Sequence, residues 1–319
     1  MSHNYLRLCA EDHIQRLMQT STQDPSTSST IDSESFATAA QELLDLWKSI
    51  PTGEQYILEQ GILGLTEGEQ VQAFSHWLAQ NPLIQALDTL VLRNWTHNTL
   101  PGALKLFPHL RTLDFHSATL TEIPDLVFSL SQLQILKITS PLSQISSKIS
   151  QLQSLRELSI QESSIVALPL EVFQLLCLEV LDVSNNQLRA LPDEIGNLLQ
   201  LKKLSISKNH IGVLPETLGN CQKLETLHLS WNNLVQIPDS VWKLQKLRYL
   251  WSAHNQLSLL PDLDRPSSLE TCNFDGNLLN AISHKLVIQL PHLKQLYFRN
   301  NPLKSIPDVS QWNLEEVVF

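Results

Sequence analysis

The chain has 319 residues, 42% of them apolar, enough for one extended domain or two compact ones with a real core. Nine glycines and sixteen prolines exclude collagen-like and linker-dominated chains. The net charge of −10 is unevenly spread: residues 1–86 hold 3 Lys/Arg against 11 Asp/Glu, and residues 87–319 hold 19 against 21. An acidic head on a near-neutral body argues against nucleic acid as a partner, since phosphate-backbone binders carry a clustered basic face.

The N-terminus, M-S-H-N-Y-L-R-L-C-A-E-D, lacks a basic segment followed by an apolar run, so no cleavable secretory signal is visible. No uninterrupted apolar stretch of about 18 residues exists, so no membrane span is expected. Cys9, Cys177, Cys221 and Cys272 show no CxxC pairing and suit a reducing compartment. The sequon Asn94-Trp95-Thr96 is then expected to be inert, because it needs the secretory route. Residues 20–35 are Ser/Thr-rich without periodic apolar residues, and residues 1–35 are predicted to be a disordered acidic tail. Residues 36–86 are predicted to be a helical cap. Phe36, Leu43, Leu44 and Trp47 fall near one helix face. Thr66-x-x-Glu69 is a capping-box pattern, and Val71, Phe74, Trp77 and Leu78 follow at helical spacing until Asn81-Pro82 stops the run.

From residue 87 onward the chain repeats itself. Opening leucines stand at 87, 110, 133, 155, 178, 201, 224, 247, 269, 293 and 314, spaced by 21 to 24 residues. The clearest unit is L-E-V-L-D-V-S-N-N-Q-L-R-A-L-P-D-E-I-G-N-L-L-Q, residues 178–200. Positions 4 and 6 alternate like a strand and face one side, while positions 11 and 14 bring the chain back over that side. One unit cannot bury its leucines alone; stacked units share a continuous core. At position 9 an Asn amide satisfies backbone groups of its own turn and its neighbour's, so Asn186, Asn209, Asn232, Asn255, Asn277 and Asn301 are expected to form a structural ladder. Pro192, Pro215, Pro238, Pro261 and Pro307 open the return segments, where a fixed φ suits a turn or short helical piece.

The pattern L-x-x-L-x-L-x-x-N-x-L followed by L-P resembles leucine-rich repeats, over all but the N-terminal quarter. The resemblance implies an α/β solenoid of about ten to eleven repeats over 87–319, with a parallel concave sheet and a helical N-terminal cap. Early repeats depart from it: position 9 is Trp95, Ala118 and Ser163 in the first, second and fourth, and the third is one residue short in its turn. More irregular geometry is expected over 87–177. The chain stops after L-E-E-V-V-F with no return segment. A bare end, a covering partner or descent from a longer chain would each account for this.

Catalytic signatures are missing: GxxxxGK, GxGxxG, HExxH, GxSxG and CxxC zinc spacings are all absent, so neither enzyme activity nor a cofactor is expected. His228 and His254 lie on adjacent strands, but a metal site needs more ligands. Cys272 fills a leucine slot and reads as a small buried hydrophobe, and Cys177 and Cys221 as packing residues.

Positions 3, 5, 7 and 8 project from the face away from the core, the inner and binding face of a curved solenoid. At about 4.8 Å per strand, eleven strands make an arc of roughly 50 Å, which suits a protein or long peptide. Trp231, Tyr249, Trp251 and His254 cluster there on two adjacent strands, with His228, Tyr297 and Arg299 at the edges. Trp, Tyr and Arg are enriched in interface hot spots, and an exposed aromatic patch costs solubility unless it is used. Cross-strand stabilisation of the sheet is the competing reading. Position 8, where Trp231 sits, carries no residue type fixed by the repeat.

The expected function is therefore non-catalytic recognition of a protein on the concave face. The repeats also resemble bacterial secreted-effector arrays and intracellular signalling scaffolds. The former implies virulence and export into a host cell without a cleaved signal, the latter a cytoplasmic role. A substrate-recognition part of a ubiquitin-ligase-type effector is a third reading. It would need catalysis in the helical head, whose only cysteine is Cys9.

Overall fold

The computed structural model describes residues 33–50, 53–81, 86–97, 99–100, 102–263, 265–283, 288–304 and 314–319. The predicted tail up to residue 32, with Cys9, lies outside them, as do Pro82, Pro307 and the side chains of Phe36 and Val71. The chain forms two compact units, one of residues up to 120 with 124–135, the other of 121–123 with 136–319.

The first unit starts with α1 (Ser33–Ser49), three residues ahead of the predicted boundary, followed by α2 (Gly53–Glu59) and α3 (Glu67–Gln80). Sequence periodicity gives two helices here and the structure three. The short α2 buries only Gly53 and Ile57, too few positions to make an apolar stripe. Trp47 is the centre of this unit. It is fully buried and meets Tyr56, Phe74 and Trp77 with ring centroids 5.7, 5.0 and 5.4 Å away. Gly53 is obligatory beside it, because a Cβ would stand 2.0 Å from the Trp47 carbonyl oxygen. The capping box closes as predicted: the Thr66 N–H donates to Glu69 Oε2 at 2.8 Å, and the hydrogen bonds from Thr66 hold the Glu69 carboxyl below its usual range. Helix α1 is tied to the loop after β1 (Thr89–Trp95) by His97 on Asp45 at 2.8 Å and by the Thr99 hydroxyl donating to Glu42. Strand β1 pairs in parallel with β2 (Thr112–Ser117), Leu90 opposite Leu113 and Leu92 opposite Phe115.

In this unit the register shifts between Leu92 and Trp95. Trp95 occupies the amide position and is buried, its indole N–H donating to the Thr99 carbonyl at 2.9 Å. One bulky ring thus stands in for the ladder amide.

The second unit contains β3 (Ile135–Thr139, apart from its first residue), β4 (Glu157–Gln161), β5 (Val180–Asp182), β6 (Lys203–Ser205), β7 (Thr226–His228), β8 (Tyr249–Trp251), β9 (Thr271–Asn273), β10 (Gln295–Tyr297) and β11 (Glu316–Val318). These strands are neighbours in chain order, and from β4 on each pairs in parallel with the next at the same repeat position, as Leu181 with Leu204 and Leu204 with Leu227. The register is kept even where repeat length changes, as from Tyr249 to Thr271, Gln295 and Glu316, because the variation falls in the return segments, and it stacks the position 4 and 6 side chains in one core. Leu158, Leu181, Leu204, Leu227, Leu250 and Cys272 form the first of these columns, all fully buried. Toward β11 the second column becomes aromatic, with Phe274, Phe298 and Phe319 stacked at 5.6 and 6.2 Å.

Three return segments are 3-10 turns directly preceded by a proline with φ between −68° and −74°, Leu170–Gln174, Asp193–Asn197 and Glu216–Asn220; Ser147–Gln151 is a 3-10 turn after Ser146, and Asp239–Trp242 after Pro238 is one α-helical turn. The amides that fill position 9 are bonded on three sides. Asn209 Nδ2 donates to the Val183 and Ile206 carbonyls at 3.0 and 2.9 Å, and its Oδ1 accepts the Leu188 N–H at 2.9 Å. Asn186, Asn232, Asn255, Asn277 and Asn301 make the equivalent contacts one repeat apart. In the fourth repeat Ser163 substitutes, its hydroxyl donating to the Ser140 carbonyl.

Candidate partner-binding surface

The backbone immediately before each ladder amide has a conformation that the sequence pattern does not announce. Glu162, Asn185, Lys208, Trp231, His254, Gly276 and Asn300 have φ between 54° and 64°, the left-handed region. Position 8 is therefore not free. The tight turn that swings the amide inward needs a left-handed residue, a place that Gly and Asn take at little cost. A bulky aromatic is a genuine outlier there. Trp231 is that outlier, at φ 62° and 54% exposed.

Two ring stacks bring the predicted aromatic residues together. Trp231 lies on His254 with centroids 3.9 Å apart and planes 22° apart, and His228 lies beside Trp251 at 5.9 Å and 30°. The two histidines are thus engaged with tryptophans of neighbouring repeats. Gly276 makes room for the first stack: a Cβ there would stand 2.6 Å from His254 Nδ1. Half-burial beside Trp251 lowers the His228 pKa from 6.5, with Lys203 pushing the same way and Asp182 opposing.

The other three candidates lie outside these stacks. Tyr249 sits under the guanidinium of its neighbour Arg248, 5.4 Å from the ring centroid. Tyr297 donates its hydroxyl to Glu316 at 2.5 Å, a bond that raises the phenol pKa and draws the ring toward β11. Arg299 is exposed; its backbone N–H donates to Asp275 at 2.6 Å and its carbonyl accepts the Gly276 N–H at 2.7 Å.

A charged column runs along the edge of this face at position 2: Arg156, Glu179, Lys202, Glu225, Arg248, Glu270, Lys294, Glu315. Signs alternate from repeat to repeat. Glu179 bridges Arg156 and Lys202 at 2.7 and 2.5 Å, and Glu270 bridges Arg248 and Lys294 at 2.5 and 3.4 Å. Lys202 and Arg248 respectively hold the two carboxyls below their usual range. The alternation is visible in the sequence when position 2 is read as a column.

Comparison with known proteins places this geometry. Residues 193–298 match the family described as a leucine-rich repeat region, and residues 153–211 match leucine rich repeat. No curated protein matches the chain. Among solved structures, a leucine-rich-repeat protein of Leptospira interrogans is 29% identical, with a TM-score of 0.59, covering 70% of this chain and 63% of its own. The ectodomain of the Arabidopsis thaliana membrane receptor kinase GASSHO1/SCHENGEN3, in complex with Casparian strip integrity factor 2, is 27% identical. Its TM-score is 0.52, over 64% of this chain and 28% of its own. A plant ice-binding protein is 25% identical at a TM-score of 0.51, covering 64% and 80%. The chain thus spans less than two thirds of the first two of these proteins. Amide ladder, parallel register, repeat period and matched residues agree: the chain is a leucine-rich-repeat protein.

Proposed function

We propose that this leucine-rich-repeat chain is a non-catalytic recognition module that binds a partner protein on the outward face of β6 to β10. Trp231 carries the reading. A large aromatic is kept at a left-handed position where Asn or Gly would serve the fold better, and it stands more than half exposed. Trp251 and the two stacked histidines extend the same surface. Interfaces concentrate their binding energy in a few aromatic and Arg residues of this kind. The Arabidopsis receptor ectodomain, solved in complex with a factor, shares this repeat architecture. Affinity purification with the full chain against a Trp231→Ala/Trp251→Ala variant tests the reading. A protein recovered by the first and absent from the second supports it; identical recoveries defeat it.

The finer role we infer is that of a bacterial effector-like protein acting on host proteins. The likeness to the Leptospira interrogans protein and the Ser/Thr-rich N-terminal sequence support this over a signalling scaffold of its own cell. A translocation reporter fused to residues 1–35 decides it, since a scaffold would leave the reporter unexported. No helix among the described residues is long and apolar enough to cross a membrane.

A further inference from the structure

The outward face carries a step. Position 5 runs in register from Asp182 to Ser205, His228 and Trp251. On the β5–β6 side the side chains are short hydroxyls, Ser184, Ser205 and Ser207. On the β7–β8 side His228, Trp231 and Trp251 rise from the same sheet. The wall is braced from behind, because His254 covers one face of the Trp231 ring and itself rests over Gly276. Trp231 is otherwise more than half exposed.

Charge is distributed unevenly about this step. Lys203 and Lys208 flank the floor, and neither has an ion-pair partner among the described residues. The carboxylate on the floor, Asp182, is already held by the Ser184 hydroxyl at 2.7 Å and by Gln161 at 3.0 Å. Positions 3, 5, 7 and 8 of the β5 to β10 repeats hold Lys203, Lys208 and Arg299 against Asp275 and the already bonded Asp182. A chain of net charge −10 thus turns a positive, aromatic-walled strip outward. Such a strip favours an anionic ligand with an apolar part, while the acidic body disfavours a long polyanion.

We infer that the step holds an extended acidic segment of a partner protein. An aromatic or long apolar side chain packs on the exposed Trp231, and flanking carboxylates reach Lys203 and Lys208. This rests on the protein-recognition reading and names the partner's chemistry. The test is selection of displayed random peptides on the full chain, with binding of the enriched peptides then measured on two variants of unchanged denaturation midpoint. These are Trp231→Ala/Trp251→Ala and Lys203→Glu/Lys208→Glu. Expected are acidic peptides bearing an aromatic or leucine, bound about tenfold or more weakly by the lysine variant, with affinity falling as salt rises. Peptides that are neutral or basic but still need the tryptophans would overturn the acidic-segment inference and leave protein recognition standing. Peptides indifferent to both tryptophans would overturn both. Tighter, lysine-dependent binding of an oligothymidylate would also overturn it, in favour of a nucleic-acid strand.

Discussion

Replacing Trp231 by Asn separates a side chain kept for binding from one kept for the fold. The wild-type residue holds φ at 62°, which costs a non-glycine residue roughly 1–2 kcal/mol and Asn much less. Against that relief stands lost burial. The residue is 54% exposed, so about half of its surface is covered. For a tryptophan this is on the order of 100 Å² of contact. At about 25 cal/mol per Å², less the part already buried in an unfolded chain, this stabilises by ~1.5–2 kcal/mol, the His254 stack included. The two terms cancel to within about 1 kcal/mol, so Trp231→Asn is predicted to leave stability nearly unchanged while partner binding is lost. Denaturant unfolding with a check on constant m-value measures the first, and titration with the recovered partner the second. A loss of ~3 kcal/mol or more, the range of a core aromatic, would show that Trp231 is part of the fold and refute the reasoning.

Asn232 one residue on should behave oppositely. Its amide donates to Ile206 and Leu229 and accepts from Ile211, so Asn232→Ala removes three buried bonds and should cost ~2–4 kcal/mol by the same unfolding assay. Gly276→Ala should destabilise by roughly 1–2 kcal/mol through its left-handed φ of 64°. It should also push His254 off Trp231, visible as a change in tryptophan fluorescence. His228 has a pKa lowered from 6.5 chiefly by burial, so the unfolded chain binds its proton more readily. Its contribution to stability is full above about pH 6.5 and is lost as pH falls below that value. In His228→Asn the unfolding midpoint should accordingly lose less between pH 7 and pH 5 than in the parent. Burial pushes the Cys221 thiol up to about 11 and the Cys272 thiol higher, whereas Cys177 is exposed. Alkylation followed by peptide mass analysis should therefore mark Cys177 in the native protein, with Cys221 and Cys272 marked only on unfolding.

The fold was legible because burial repeats with the sequence. Leu181, Leu204 and Leu227 recur at 23-residue intervals, and pairing in register buries all three. Pro192 and Pro215 similarly mark where the return turns begin, since a fixed φ precedes each 3-10 segment. Cys272 reads correctly as a buried hydrophobe because its column is otherwise leucine. The site was less legible. Outward residues are chosen side chain by side chain, so Tyr249, Trp251 and Tyr297 look equivalent in sequence. Yet Tyr249 lies against Arg248 and Tyr297 bonds Glu316. Position 8 looked unconstrained because its occupants, Asn185, Lys208, Trp231, His254 and Gly276, share no chemistry. What they share is a backbone conformation, which letters do not show, and which makes Trp231 more informative than its exposure alone.

The central claim, that the partner lies on the sheet face beside Trp231, is tested most directly by photo-cross-linking. A benzophenone side chain at Ser207 would sit on the serine floor, and one at Val213 on the exposed apolar residues of the return side. The account predicts an adduct with the partner from Ser207 and none from Val213. An adduct from Val213 alone would place recognition on the opposite surface and contradict it.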